Sequence, residues 1–149
     1  MDQANKDFIM NVMANANDLT LATIRPDGYP QATTVSFAYD GLTLYVGVGK
    51  NSQKAQNIRQ NNKVSLTINN AYKNWSEIKG LSIGGIAEVV SDPRDIQQAI
   101  DCLLARFPEA VEWAETGQKD QVAFLKIRPQ VISMLDYTKG FGHTETIKA

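Results

Sequence analysis

The sequence predicts a mainly β, α+β fold in which about six antiparallel strands form a small barrel or half-open sheet with flanking helices. Short apolar or alternating runs are separated by compact turns at residues 26–28 and 40–41. Helical periodicity is confined to a few short segments. A chain of 149 residues suits one domain that buries roughly 68–70% of its unfolded surface. We therefore expect residues 1–149 to form a single domain.

The first half of the chain predicts one helix, three strands and a second helix. Phe8, Ile9, Val12 and Met13 recur at helical spacing and predict a helix. Either Asn51 or Ser52 can cap the second helix. The predicted elements are a helix over 3–16, a hairpin of strands 19–24 and 31–39, a strand over 42–48, and a helix over 52–60.

The second half predicts three further strands and one more helix. Strands are expected over 63–69, 81–90 and 122–134, with a polar loop over 70–79. The Gly84-Gly85 pair indicates a bulge or the close approach of another group. Asp92 and Pro93 are a typical helix start. An apolar stripe then predicts that this helix packs on the sheet, and it consists of Ile96, Ala99, Ile100, Leu103 and Leu104.

Composition excludes several classes of function. Fifteen basic and sixteen acidic residues give a net charge of −1, which argues against a broad nucleic-acid surface. The single Cys102 excludes an intrachain disulfide and fits a reducing compartment. Together with the single His143 it leaves too few ligands for a structural zinc site. No basic-flanked apolar leader or run of 18 apolar residues is visible, so we expect a cytoplasmic protein without a membrane span.

The segment 45–68 is the most informative about function. It predicts a strand that passes through glycines into a capped helix start, followed by another strand. Ser52, Lys54 and the free N–H groups of the first helical turn are expected to converge on one point. Those donors and the positive end of the helix dipole favour a phosphate there. An ordinary capped helix with a solvated lysine is the alternative interpretation, and no Walker or GxGxxG pattern supports a nucleotide triphosphate or dinucleotide.

The predicted barrel restricts where a flat ligand can bind. Side chains fill the interior of a barrel this small, so the ligand must lie on the outer wall. A monomer buries only one face of such a ligand there. Burying most of it therefore requires a second subunit.

The order and spacing of several short motifs resemble the pyridoxamine 5′-phosphate oxidase-like family of FMN-binding split β-barrels. The motifs are Leu21-Ala22-Thr23-Ile24, Asp27-Gly28-Tyr29-Pro30, Leu44-Tyr45-Val46, Ser52-Gln53-Lys54-Ala55-Gln56-Asn57-Ile58, Asn62-Lys63-Val64-Ser65-Leu66 and Gly84-Gly85-Ile86-Ala87-Glu88. The C-terminal stretch 135–143 is similar to endings of small bacterial members. The resemblance implies a six-stranded antiparallel split β-barrel that forms a homodimer, with FMN in a cleft between the subunits.

The resemblance also implies which residues hold FMN. The strand after the first turn is expected to contact the ring and ribityl chain through Ala32, Thr33, Thr34, Val35 and Ser36. The other implied contacts are Gly47, Val48, Ser52, Gln53 and Lys54 at the phosphate end, with Lys79 and Gly80 near the ring. Thr33 and Thr34 as plain β-formers, and Lys79 as a solvated turn residue, are the alternatives. Gln53 stands where many members have arginine, and Val48 where threonine is common.

The function implied is that of an FMN-dependent oxidoreductase, in which a nicotinamide donor passes hydride to the flavin and a small acceptor is then reduced. The arginine- and histidine-bearing C-terminal segment of the vitamin B6 oxidases is not found. The alternative is a module that stores or senses flavin, haem or a deazaflavin without turnover, and a barrel without a ligand is the third possibility. No catalytic residue is identified. Tyr72 and Trp75 are candidates to cover the cleft or stack on the ring, with ordinary packing as the alternative. Phe141 and His143 are candidates to reach the flavin site of a second subunit, with a structural or solvated histidine as the alternative.

Overall fold

The computed structural model describes residues 1–115 and 118–149, and within them eight strands form one antiparallel sheet. The sheet order is β2-β1-β5-β6-β7-β4-β3, with β8 beside β7. This curled sheet confirms the predicted fold class. The strands are β1 (Asp18–Ile24), β2 (Pro30–Ser36), β3 (Ala38–Asp40), β4 (Thr43–Gly49), β5 (Lys63–Asn69), β6 (Lys79–Val89), β7 (Val122–Asp136) and β8 (Thr144–Lys148).

The helices begin where the capping residues predict. Asp2, Ser52 and Asp92 each accept a hydrogen bond from a backbone N–H of the first turn that follows. Ser52, not Asn51, is therefore the cap of the second helix. The helices are α1 (Gln3–Ala14), α2 (Gln53–Gln60), α3 (Pro93–Arg106) and α4 (Ala110–Glu115). None of them, within the described ranges, has the length and apolar character that a membrane crossing demands.

The sheet has more strands than the six expected, because one predicted strand is divided and one was missed. The segment predicted as a strand over 31–39 breaks at Phe37, so that β2 pairs with β1 and β3 pairs with β4. Phe37 is fully buried, and its N–H donates to the carbonyl of Asn17 (3.4 Å). The missed strand is β8, where only Ile147 is half-buried, so its sequence lacks apolar alternation.

The predicted irregularity at Gly84-Gly85 is confirmed. The register between β6 and β7 shifts between these two glycines. A Cβ on Gly85 would lie 2.9 Å from the carbonyl oxygen of Arg128, so a larger residue would push β6 away from β7. The pair thus marks a bulge at which the sheet bends.

Apolar side chains fill the interior of the curled sheet. Helix α1 inserts Ile9, Val12 and Met13, and the strands contribute their inward-facing residues. Among the largest fully buried side chains of the strands are Leu19, Leu21, Leu44, Leu66, Ile68, Leu81, Ile83, Leu125 and Ile127. A ligand the size of a flavin must therefore bind outside this core.

Arg106 fixes the end of α3 against α1. Its guanidinium donates to the carbonyl oxygens of Met13 (2.9 Å) and Ala16. It also lies over the rings of Phe37, 4.5 Å from the centroid, and Tyr39, at 5.2 Å. Burial lowers the pKa of Arg106 from its usual value. This contact holds α3 along the outer face of β4 and β7.

Candidate functional site

Two of the predicted binding segments meet at the split of the barrel. β2 and β3 are the two ends of the sheet path, and β2 also approaches β4 there. Ser36 at the end of β2 lines the same groove as residues 47–49 at the end of β4. Ile58 and Arg59 of α2 line it as well. The structure therefore brings Ser36, Gly47 and Val48 together with the last turn of α2, and Gly49 connects them to the helix start by accepting from the N–H of Ser52 (3.0 Å).

The start of α2 offers two backbone N–H groups and one ammonium group to an anion. The Ser52 hydroxyl accepts from the N–H of Ala55 (3.3 Å) and donates to the carbonyl of Gly49 (2.7 Å). The hydroxyl proton of Ser52 is therefore already donated to Gly49, and the Ser52 side chain stabilises the turn into α2. The N–H groups of Gln53 and Lys54 have no acceptor in the part of the chain that the structure describes. Lys54 is half-buried and forms no ion pair there.

A buried amide network anchors α2 on β1 and β2. Asn57 is fully buried, and its Nδ2 donates to Thr23 Oγ1 (3.0 Å) and to Gln31 Oε1 (3.2 Å). The Nε2 of Gln53 donates to Asn57 Oδ1 (2.8 Å). The Gln53 side chain is therefore committed to the network, and only its backbone N–H remains for a ligand. Asn57 and Gln31 were not predicted as site residues. The available signal was an asparagine between Gln53 and the apolar Ile58 on one face of the helix.

The five predicted contacts on β2 divide between two faces. Ala32, Thr34 and Ser36 are exposed on the outer wall, whereas Thr33 and Val35 are half-buried towards the core. β2 pairs only with β1 in the described chain, so every second residue directs its N–H and C=O away from the sheet. This free edge can pair with the donors and acceptors of a flat heterocycle.

The outer wall of the sheet carries a continuous row of hydroxyl groups, which we call the hydroxyl wall. Cross-strand register aligns its six members, Thr34, Thr20, Thr67, Ser82, Ser133 and Thr146. Bonds within it join Thr20 to Thr34 (Oγ1–Oγ1 3.5 Å) and Ser133 to Thr146 (2.8 Å). The neighbouring row contains only small residues over β2 to β6, namely Ala32, Ala22, Ser65 and Gly84. No long side chain therefore projects from the centre of this face.

Lys79 and Gly80 lie apart from the split within one protomer. They begin β6, which is three strands away from β2. At the usual spacing of strands this is about 14 Å. Gly80 is buried, and a Cβ there would lie 2.6 Å from Asn69 Oδ1. Their contact with the cofactor remains a prediction.

An exposed aromatic cluster lies at the same end of β6. The rings of Trp75 and Phe141 are 6.0 Å apart, and those of Tyr137 and Phe141 are 5.5 Å apart. Phe141 is 82% exposed, because Gly140 and Gly142 adopt positive φ and turn it outwards. His143 lies 3.2 Å from Glu145 in the following strand.

A large groove runs between α3 and the outer face of β4 and β7. Its volume is about 1520 Å³. The apolar stripe of α3 was expected to pack on the sheet, but in α3 only Ala99 is buried. The remaining members are half-buried and line the groove: Ile96, Ile100, Leu103 and Leu104. Burial raises the pKa of Cys102, which therefore remains a thiol on the flank of the helix.

The curled sheet, its filled interior and the split between its two ends define a split β-barrel. The chain belongs to the family described as pyridoxamine 5′-phosphate oxidase, whose sequence model matches residues 2–136. No protein with a curated function matches the sequence.

Solved structures of similar fold include both haem binders and a candidate oxidase. A haem-binding protein from Mycobacterium smegmatis matches 99% of this chain with a TM-score of 0.81 and 17% identity, although the chain spans only 59% of that protein. A candidate pyridoxamine 5′-phosphate oxidase from Listeria innocua matches with a TM-score of 0.72 and 24% identity, and the match covers 89% of this chain and 98% of that protein. The haem storage protein HutZ from Vibrio cholerae matches with a TM-score of 0.71 and 21% identity, and the match covers 83% of this chain and 89% of that protein.

Proposed function

We propose that this protein is an FMN-binding oxidoreductase. The observation that carries the proposal is the turn from β4 into α2: the free N–H groups of Gln53 and Lys54 follow directly on the glycines that end β4, and those glycines line one groove with Ser36 at the end of β2. A dianionic phosphate matches the donors of α2, and a flat ring matches the exposed edge and wall. Membership of a family described by an FMN-type oxidase supports this choice.

The chain's own residues bind, orient and shield the cofactor, while the chemistry of hydride and electron transfer belongs to FMN when bound. Lys54 and the two amides hold the phosphate. The N–H and C=O groups of β2 fix the orientation of the ring. The apolar side of the groove excludes water from the bound molecules. A nicotinamide donor and a small acceptor complete the proposed reaction.

We further propose that the protein acts as a homodimer through the hydroxyl wall. A single subunit leaves one face of a ring on this wall in water, whereas a second copy covers it. The wall suits such packing because its side chains are short and uncharged. In an isologous dimer each wall packs against the same wall of the other copy.

Introducing a charge at the centre of the wall is expected to separate the subunits. Thr67→Lys places a desolvated ammonium in the interface, so the dimer should dissociate to a monomer. Size-exclusion chromatography with light scattering measures the mass. Gln60→Lys adds the same charge at an exposed position of α2 and should leave the dimer unchanged. A Thr67→Lys protein that remains dimeric would contradict the proposed interface.

The visible spectrum of the purified protein tests the cofactor. Flavin absorbance that is retained through gel filtration, and that bleaches on anaerobic addition of NADH or NADPH, is the expected result. Flavin that binds but does not bleach would support storage or sensing. A colourless protein that binds no added FMN in a fluorescence titration would refute the proposal.

Haem binding is the second candidate, because two proteins of similar fold are named for haem. Haem iron needs an axial ligand, usually His, Cys, Met or Tyr. The described residues lining the α3 groove include none of these. His143, on the turn with Phe141, is the available histidine and lies at the other end of β6. A haem Soret band in place of the flavin spectrum would select this candidate.

A further inference from the structure

The α3 groove is larger than a site for one small molecule. Its volume of about 1520 Å³ exceeds the usual range of roughly 300–1,000 Å³ for such a site. One end of the groove contains Ser36 and residues 47–49, which are already assigned to the cofactor. The other end, along α3, has no role in the proposed cofactor contacts. The groove can therefore hold a second molecule next to the first.

The α3 end of the groove has one wall with an aromatic ring and one wall of aliphatic side chains. Gly47 lies opposite Phe124 on the neighbouring strand, and a Cβ on Gly47 would lie 3.8 Å from the Phe124 ring. The missing side chain exposes a flat peptide beside an aromatic ring. The half-buried Ile100, Leu103 and Leu104 form the facing wall. A flat apolar molecule bound between these two walls would complete the burial of both walls.

The charges of the groove favour a neutral molecule. The described lining residues include three basic side chains, Lys50, Arg59 and Arg128, and three acidic ones, Glu88, Glu109 and Asp120. Arg128 and Glu88 already pair with each other at 3.0 Å. The lining thus has no net charge with which to select an anion or a cation.

We propose that the α3 groove binds a neutral, flat, mostly apolar aromatic molecule as the second substrate. Its role as an electron acceptor rests on the proposed function, but its binding does not. The site is formed by α3 on one side and by Phe124 on the other, and it adjoins the cofactor contacts at the Gly47 peptide.

Binding of Nile red, a neutral flat dye that fluoresces in apolar sites, tests the proposal on the full-length protein. Leu104→Gln and Ile100→Gln should each weaken the dye about tenfold, because each replaces apolar lining with an amide. Ala105→Gln places the same side chain at an exposed position of α3 and should bind as the wild type. The neutral 1,4-naphthoquinone should displace the dye at a concentration about tenfold lower than its 2-sulfonate.

The outcomes separate this proposal from the cofactor assignment. Nile red binds whether or not FMN is present, so a colourless protein with the expected variant pattern would refute the oxidoreductase and retain the groove site. Equal affinity of all variants, absence of dye binding, or equal displacement by the neutral and sulfonated quinones would overturn the groove site. Dye binding that falls as protein concentration rises would show that a second copy covers the groove, and it would also overturn the proposal.

Discussion

Asn57→Ala is expected to destabilise the protein by about 3 kcal/mol and to lower the melting temperature by about 10 °C. Asn57 is fully buried and makes three side-chain hydrogen bonds, to Thr23, Gln31 and Gln53. Its removal leaves the buried Thr23 hydroxyl and two amides without this partner, and it creates a cavity between α2 and the sheet. Thermal and urea denaturation followed by circular dichroism measure the change.

Two further variants separate the causes of this loss. Asn57→Leu fills most of the volume but supplies no hydrogen bond, so it should remain destabilised if the network is responsible. Gln56→Ala lies on the exposed side of the same helix and should change the melting temperature little. An Asn57→Leu protein as stable as the wild type would show that the network contributes nothing to stability.

Lys54→Ala is expected to weaken FMN roughly 10–150-fold while the fold stays intact. The variant removes one charge-assisted contact, worth about 1.5–3 kcal/mol. No arginine stands beside Lys54, because Gln53 occupies that position and its side chain is bonded to Asn57. The two N–H groups of α2 remain, which limits the loss. Quenching of flavin fluorescence during titration gives the dissociation constant.

The control for this prediction is the same substitution at a different, exposed lysine. Lys6→Ala removes an exposed charge on α1 and should leave FMN affinity unchanged. Riboflavin, which lacks the phosphate, should bind wild type and Lys54→Ala equally. Equal FMN affinity of Lys54→Ala and wild type would place the phosphate elsewhere.

Local sequence patterns predicted most of the secondary structure. The caps Ser52 and Asp92, the turn glycines Gly28 and Gly41 and the bulge at Gly84-Gly85 lie where the sequence analysis expected them. Each of these depends on the conformational preference of one or two residues. The strand that was not predicted, β8, has an equally local explanation, since its sequence lacks apolar alternation.

The candidate site was predictable only in part. The start of α2 could be recognised because an N-cap and a lysine within one turn are near neighbours in sequence. The Asn57 network could not, because it joins residues 26 and 34 positions apart. Gln31 and Thr23 became partners only through the pairing of β1 with β2.

The sequence by itself determined the family, from the order of short motifs along the chain, and the helix starts and turns, which follow from neighbouring residues. Only the tertiary structure decided which residues share a surface. The hydroxyl wall exists because six hydroxyl-bearing residues, one from each of six adjacent strands, fall into register, and a shift of one residue in any of these strands would turn its hydroxyl to the core. The α3 groove likewise depends on how Arg106 holds that helix, a contact between residues 90 or more positions apart.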